Sequence, residues 1–366
     1  MRAGHKNIDL MHKEVVQKGD VEISVQKQTM DGVHQTNWIG FVVFAAIVLV
    51  FPLIATQSFY ITQATFAGIY TIVAIGLGML MGYAGQISLG QAAFYGVGAY
   101  STAILTVTFG LSPWLSLLFS LAVPALLAWI LGHTMARLSG YYLAMATLAF
   151  GIIVYVVLVE WRSLTFGASG FYGIPTLELF GLRLTPGIPY YYFVWIITLL
   201  IMSLSFNIVH SRVGRALRSI HDSEVAASVM GVDTGKYKMQ IFILSAVYAG
   251  LAGWLFAHMS YSISPGSFAL NASILFLTMV VLGGSTSVWG AVIGAILITV
   301  ITVIVHALGL RYAFITSDFE HVLFGLILML VIIFMPRGLF PTLVDWITAQ
   351  RPKEREEQQK QREESA

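Results

Sequence analysis

Charged side chains avoid the long apolar runs of this sequence. Thirty of the 38 Lys, Arg, Asp and Glu residues lie in three segments, 1–37, 210–240 and 336–366, and the other eight lie at or beyond the ends of apolar runs. A charge at the centre of a membrane span costs about 2.5–3.5 kcal/mol on insertion scales. Only 10% of the 366 residues are charged and 57% are hydrophobic, which leaves too little polar surface for a soluble globular protein. The pattern predicts an all-α integral membrane protein.

Ten apolar runs have roughly the 20 residues that a helix needs to cross a bilayer core. They lack the alternating pattern of strands, so we predict a polytopic helical bundle. About ten transmembrane helices are expected, or eight to nine if a glycine-rich segment is re-entrant. The predicted spans are 38–56, 60–82, 88–109, 112–135, 141–160, 190–209, 241–262, 268–284, 288–310 and 320–335.

The positions of the basic residues predict the topology. With a cytoplasmic N-terminus and ten crossings, both termini and the 210–240 loop are cytoplasmic, and 17 of the 20 Lys and Arg residues lie on that side. Such an excess is typical of a correct topology. The chain is thereby divided into a cytoplasmic N-terminal extension (1–37), a transmembrane domain (38–340) that contains the 210–240 loop, and a charged cytoplasmic tail (341–366).

The residue inventory argues against catalysis by this chain. The absence of cysteine excludes disulfides, thiolate metal sites and cysteine nucleophiles. No Gly-x-Ser-x-Gly or His-Glu-x-x-His motif occurs, and the pair Gly235-Lys236 lacks the rest of a P-loop. No His or carboxylate pair has metal-ligand spacing. We therefore predict no catalytic residue, no metal site, no cofactor and no nucleic-acid partner.

Groups that would couple transport to an ion gradient are also scarce. No Asp, Glu, Lys or Arg lies in the middle of a predicted span, where a secondary carrier usually keeps such a group. A stand-alone carrier with a sodium site built from backbone carbonyls stays open. If the energy does not come from this chain, a cytoplasmic partner must supply it.

The 210–240 loop has the pattern of two short amphipathic helices. Val213, Leu217 and Ile220 recur at helical spacing. Arg218 and Asp222 are spaced as an i,i+4 ion pair on the wetter side, together with Arg215. Asp222 or Ser223 is expected to cap the second helix, and Gly231 fits its C-terminus. The loop is either an ordinary solvated connection or a docking element for a cytoplasmic partner.

A glycine-rich stretch, 81–100, is the other unusual segment. Its glycines are interleaved with polar side chains. One interpretation is close helix packing with a cytoplasmic turn, and the other is a broken helix beside a polar pathway. In the second case the candidate pathway residues are Gln86, Ser88, Gln91, Tyr95 and Tyr100.

Several landmarks over residues 60–340 occur in the order of a known family. They include Gly82-Tyr-Ala-Gly-Gln-Ile-Ser-Leu-Gly-Gln91, Gly214-Arg-Ala-Leu-Arg-Ser-Ile-His-Asp-Ser-Glu-Val-Ala-Ala-Ser-Val-Met-Gly231, Trp289-Gly-Ala-Val-Ile-Gly294 and Met335-Pro-Arg-Gly-Leu339. On these residues the chain resembles the permeases of branched-chain amino-acid ABC importers, and their LivM-like subunit in particular.

The resemblance implies a set of partners in a bacterial inner membrane. These are a LivH-like sister permease, two cytoplasmic ATP-binding subunits and a periplasmic substrate-binding protein, and the lipid bilayer surrounds the permease pair. The loop would be a relative of the EAA coupling segment, with Glu224, Ala226, Ala227 and Gly231 on its pattern. The residues expected to couple to the ATPase are Arg215, Arg218, Asp222, Glu224, Ala226, Ala227 and Gly231.

Four positions depart from the family pattern. Gln91, Ile152, His221 and Gly266 stand where the family usually carries His, Glu, Arg and Glu. Ionisable groups are thereby lost, which leaves the substrate open. The function expected from the resemblance is import of branched-chain amino acids, with urea, short amides or other amino acids as alternatives.

Overall fold

The computed structural model describes residues 40–55, 57–135, 140–179 and 181–311. Single positions between 322 and 342 are also described. The predicted extension 1–37, almost all of the tail 341–366 and most of the span 320–335 lie outside the described residues. Contacts divide the chain into two units, Met1–Thr56 and Gln57–Ala366. In the first unit, helix α1 covers Gly40–Ile54 and is apolar.

The second unit is built from helices with a few very short strands. Its helices are α2 (Ser58–Ala84), α3 (Gln91–Ala103, continued by a π-helical turn Ile104–Thr108), α4 (Pro113–Met135), α5 (Tyr141–Glu160), α6 (Arg162–Thr165), α7 (Ile188–His210), α8 (Arg212–Asp222), α9 (Glu224–Val229), α10 (Thr234–Ser260), α11 (Leu270–Gly283) and α12 (Val288–Arg311). Its strands are β1 (Phe171–Tyr172), β2 (Leu177–Leu179), β3 (Leu182–Leu184) and β4 (Ser262–Ile263). Strand β1 pairs with β4 and β2 with β3, both antiparallel.

The predicted class, a helical membrane protein, is confirmed. Within the described residues, seven helical segments are long and apolar enough to cross a bilayer. They are Ser58–Ala84, Pro113–His133, Tyr141–Glu160, Ile188–His210, Thr234–Ser260, Pro265–Gly283 and Val288–Val305. The count of ten spans and the cytoplasmic placement of the termini stay predictions.

Helices α2 and α10 form the buried centre of the second unit. In each, 78% of the most apolar window is buried, against 28% in α4 and α5. Glycines allow the backbones to approach closely here. A Cβ on Gly98 of α3 would collide with the carbonyl oxygen of Gly250 in α10, and one on Gly253 would collide with the carbonyl oxygen of Tyr95. Helices α3 and α10 therefore pack backbone to backbone, as small residues permit in membrane proteins.

The connections of the second unit gather at two ends. At one end, His221 of α8 lies beside Gly85, which follows α2, and Ser285, which follows α11, lies against Gly82. At the other end, β1 pairs with β4 across the segments that follow α6 and α10. The predicted alternation of crossings requires this grouping of loops.

Adding a methyl group at the α3–α10 contact is expected to destabilise the fold. Gly98→Ala places a Cβ on backbone that cannot move aside, and overpacking of this kind costs about 1–3 kcal/mol. A lower midpoint of thermal unfolding in detergent micelles would show it. The matched control is Gly235→Ala, whose Cβ would have its nearest neighbour at 3.8 Å. Equal midpoints for both variants would contradict the close approach.

Candidate coupling and translocation site

The loop between α7 and α10 folds into the two short helices that its sequence predicts. The Val213 N–H donates to Ser211 Oγ at 3.1 Å and so caps α8. The Ala226 N–H donates to Ser223 Oγ at 3.3 Å and caps α9. Of the two predicted caps, Asp222 or Ser223, the structure selects the serine. Each cap satisfies a backbone donor that has no partner within its helix.

The predicted amphipathic pattern of α8 is confirmed. Leu217 and Ile220 are buried and Val213 is half-buried, whereas Arg215, Arg218 and Asp222 are exposed. A Cβ on Gly214 would collide with the carbonyl oxygen of Val209, so α8 folds back tightly on the end of α7. Gly231 has a φ of +84°, the left-handed conformation expected after the end of α9.

Glu224 points back into the protein. Its carboxylate accepts a hydrogen bond from Lys238 Nζ near the start of α10. Lys238 is only 6% exposed, so this ion pair is partly buried. The predicted pair between Arg218 and Asp222 is wrong, since no ion pair joins them within the described residues. Both lie in water, where such a pair gains little.

The outer surface of α9 is apolar. Val225, Val229 and Met230 are 74%, 83% and 72% exposed, and Ala226 is exposed beside them. We call these four residues the α9 tip. Ala227 is fully buried, so the two alanines of the predicted coupling pattern face opposite ways. An exposed apolar cluster on a polar loop is typical of a protein contact.

The 210–240 loop touches the glycine-rich stretch. Helix α8 packs against the end of α2, and His221 Nδ1 lies 3.1 Å from the position that a Cβ on Gly85 would occupy. Gly85 itself has a φ of +64° and ends α2. Residues 85–90 are not helical, and the chain reverses there, since Gly76 of α2 and Gln91 of α3 both lie beside Ser245 of α10. Of the two interpretations of this stretch, the structure therefore agrees with a turn and close packing. We call residues 85–90 the break. Further along, Gly96 and Gly98 serve close packing, against Phe268 and Gly250 respectively.

Hydroxyl groups of other helices accept hydrogen bonds from backbone N–H groups at the break and at the start of α3. The Leu89 N–H donates to Thr147 Oγ1 of α5, and the Ala92 N–H donates to Ser273 Oγ of α11, each at 3.0 Å. Gln91 Nε2 donates to Ser245 Oγ of α10 at 2.8 Å. Hydrogen bonds thus link α5, α10 and α11 to the break and to the start of α3.

The five predicted pathway residues are all buried. Within the described part of the chain, four of them carry a buried oxygen with no hydrogen-bond partner, namely Gln86 Oε1, Gln91 Oε1, Tyr95 OH and Tyr100 OH. Ser88 Oγ, in contrast, accepts from the Gly90 N–H at 3.3 Å. An unpaired buried polar atom costs about 1–3 kcal/mol, so each of these four oxygens is a place where a solvent molecule or a solute can bind.

Tyr95 lines a cavity of about 490 Å³. Among the predicted pathway residues, Tyr95 alone belongs to its walls. Most of its lining comes from apolar runs in which no single position stands out in the sequence. The lining residues are Gln63, Phe66, Tyr70, Tyr95, Phe256, Gly266, Ser267, Asn271, Ala272, Ile274, Leu275, Phe276, Met279, Ile298, Thr299 and Thr302.

Residues 59–332 match the family model described as branched-chain amino acid transport system / permease component. The match covers the 210–240 loop, the break and the cavity. This chain belongs to that family.

Individual relatives agree with this assignment. The high-affinity branched-chain amino acid transport system permease protein LivM of Salmonella typhimurium strain LT2 is 31% identical over 76% of this chain and 69% of its own. LivM of Escherichia coli strain K12 is 29% identical over 89% of this chain and 80% of its own. The permease protein LivH of Salmonella typhimurium is 26% identical over 77% and 96%. No solved structure matches this permease.

Removal of the Glu224 carboxylate is expected to destabilise this permease. Glu224→Gln leaves the Lys238 ammonium buried without a counter-charge. Because the Glu224 side chain is 44% exposed, the cost should be about 1–3 kcal/mol, below that of a fully buried pair. Unfolding in detergent micelles would measure it.

Two further variants serve as controls for this test. Glu224→Gln combined with Lys238→Met removes both charges and should recover most of the loss. Asp222→Asn, an exposed carboxylate next to α9, should change stability by no more than about 0.5 kcal/mol. If Glu224→Gln were as stable as the wild type, the ion pair would contribute nothing.

Proposed function

We propose that this permease is the membrane subunit of an ABC importer and forms, with a sister permease, the translocation path for branched-chain amino acids. ATP is bound and hydrolysed by two partner ATPases, and the chain itself is non-catalytic. A periplasmic binding protein delivers the substrate, and the complex resides in a bacterial inner membrane. The observation that carries the proposal is the apolar α9 tip, which follows α8 directly, while the end of α8 contacts Gly85 at the break.

The α9 tip supports the docking of an ATPase. Apolar side chains on a loop between membrane helices gain about 25 cal/mol for each Å² removed from water, which a cleft on a partner provides. The exposed Arg215, Arg218 and Asp222 of the neighbouring α8 add charge to the surface of the same loop. An apolar centre with a polar rim is the usual anatomy of a protein interface.

Two sets of contacts connect the α9 tip to the break. Glu224 binds Lys238 at the base of α10, and α10 packs backbone to backbone on α3. Helix α8 touches Gly85 at the start of the break. A displacement of α9 by a partner is therefore transmitted to both ends of the segment that carries Gln86 and Gln91.

The substrate assignment rests on the relatives and on the uncharged side chains of the five candidate pathway residues. The curated relatives above are named for branched-chain amino acid transport. Amide and hydroxyl groups, with no Asp, Glu, Lys or Arg among the five candidate residues, suit a molecule without net charge. Charged solutes would meet the high cost of entering such an environment.

Reconstitution tests the proposal. Liposomes that contain this chain, the sister permease and the ATPases should accumulate labelled leucine when given binding protein and internal ATP. An ATPase variant that cannot hydrolyse ATP should abolish uptake. Accumulation by this chain alone on a proton or sodium gradient would identify a secondary carrier and overturn the proposal. Uptake of urea or acetamide without leucine would overturn the substrate assignment.

A charge in the α9 tip is expected to weaken ATPase binding. Val229→Arg places a cation at the centre of the apolar surface, where a single residue often accounts for much of the affinity. We expect the ATPase to dissociate about tenfold or more faster from the purified complex, measured by surface plasmon resonance. Tyr172→Arg, which is 70% exposed at the opposite end of the helices, is the control. Unchanged binding of Val229→Arg would show that α9 is not the docking element.

A further inference from the structure

Five aromatic residues that line the cavity contact one another in a closed series, and we call them the aromatic collar. Phe66 and Tyr70 come from α2, Tyr95 from α3, Phe256 from α10 and Phe276 from α11. The ring centroids of successive members are 5.9 Å apart for Phe66 and Tyr70, 5.7 Å for Tyr70 and Phe276, 5.5 Å for Phe276 and Tyr95, 5.4 Å for Tyr95 and Phe256, and 6.0 Å for Phe256 and Phe66. Four helices thus converge on one aromatic wall.

The remaining lining contains both apolar and polar residues and is uncharged. Gln63, Asn271, Thr299 and Thr302 add amide and hydroxyl groups to the apolar wall. Among the described residues that line the cavity, none is Asp, Glu, Lys, Arg or His. A volume of about 490 Å³ is within the range of small-molecule sites.

One polar atom of the collar lacks a partner. Tyr95 is 2% exposed and its hydroxyl has no hydrogen-bond partner among the described residues. Gln91, with its own unpaired Oε1, lies four residues earlier on the same face of α3. The unpaired oxygens of Tyr95 and Gln91 thus lie between the collar and the break, because Gln91 is the first residue of α3.

We propose that the collar is a transit site that selects neutral amino acids with aliphatic side chains. The inference rests on the proposed function and names the site within the path. The rings contact the aliphatic side chain, and Tyr95, Asn271 and Gln63 offer hydrogen bonds to the ammonium and carboxylate groups. An acidic side chain has no partner here, and its desolvation opposes entry.

The unpaired hydroxyl favours the substrate over a segment of the sister permease as the occupant. An apolar protein segment packed into the collar would leave Tyr95 OH buried and unsatisfied. Lysine is the discriminating probe, because aromatic rings also attract cations. A site that works through cation–π attraction would prefer lysine to leucine.

The absence of cysteine from this chain makes the site testable by labelling. Thr302→Cys puts one thiol on the cavity wall, and Ile304→Cys puts one on the same helix, 52% exposed and outside the lining. The complete transporter with ATPases and binding protein is treated with a small membrane-permeant maleimide. Labelling of this subunit is timed with and without leucine, valine or lysine, against the unsubstituted chain as background.

Leucine and valine should slow the labelling of Thr302→Cys severalfold, lysine should not, and Ile304→Cys should be unaffected by any of the three. Adding Tyr95→Phe to Thr302→Cys should raise the leucine concentration needed for protection by about two- to tenfold, the effect of one hydrogen bond. Tyr248→Phe, the same change at a tyrosine paired with Ser205, is the control and should not alter protection.

Three results would overturn the transit site. One is labelling of Thr302→Cys at the same rate with and without leucine. The second is a thiol that reacts in the isolated chain and is shielded in the assembled transporter, because the sister permease then fills the collar. The third is protection by lysine equal to that by leucine. Asn271→Cys, on another wall, repeats the test if Thr302→Cys does not assemble. Failure of the wild type to take up leucine would instead contradict the proposed function.

Discussion

Backbone groups buried away from water must find hydrogen-bond partners, and the break between α2 and α3 shows how this permease meets that requirement. Between Gly85 and Gln91 the helical bonds are interrupted, and hydroxyl groups from other helices replace them. Thr147 and Ser273 accept from the backbone of this segment, and Ser245 accepts from the Gln91 amide. Non-helical backbone at such a place is stable only when it is enclosed by protein. The positions of α5, α10 and α11 are therefore linked to the geometry of the break.

The same segment connects the proposed docking surface with the proposed transit site. On one side it meets α8 through Gly85 and His221, and on the other it continues into α3, which carries Tyr95 of the aromatic collar. Glycine contacts between α3 and α10 leave no space for side chains to absorb a movement. Packed interiors transmit displacement because they compress little. A partner that moves α9 is thus expected to act on the collar through α10 and α3.

Local features of this chain were predictable wherever the signal lies within one or two helical turns. Helices α8 and α9 follow from the spacing of Val213, Leu217 and Ile220 and from the Ser223 cap, and the break follows from glycines placed among polar residues. The Glu224–Lys238 pair did not follow, because its members are 14 residues apart and come together only when α9 folds back on α10. The i,i+4 pair that the sequence favoured, Arg218 with Asp222, is exposed to water and does not form.

The sequence by itself determined the membrane class, the lengths of most helices and the two short helices of the 210–240 loop. Each of these depends on hydrophobicity or on contacts between near neighbours, and a linear pattern records both. Only the tertiary structure decided which buried oxygens stay unpaired and which aromatic residues meet. Phe66, Tyr95, Phe256 and Phe276 lie in separate apolar runs, where an aromatic residue inside a collar and one facing lipid have the same hydrophobic signature. These residues meet because four helices pack together. That packing depends on close backbone contacts, and the sequence does not show which glycine meets which partner.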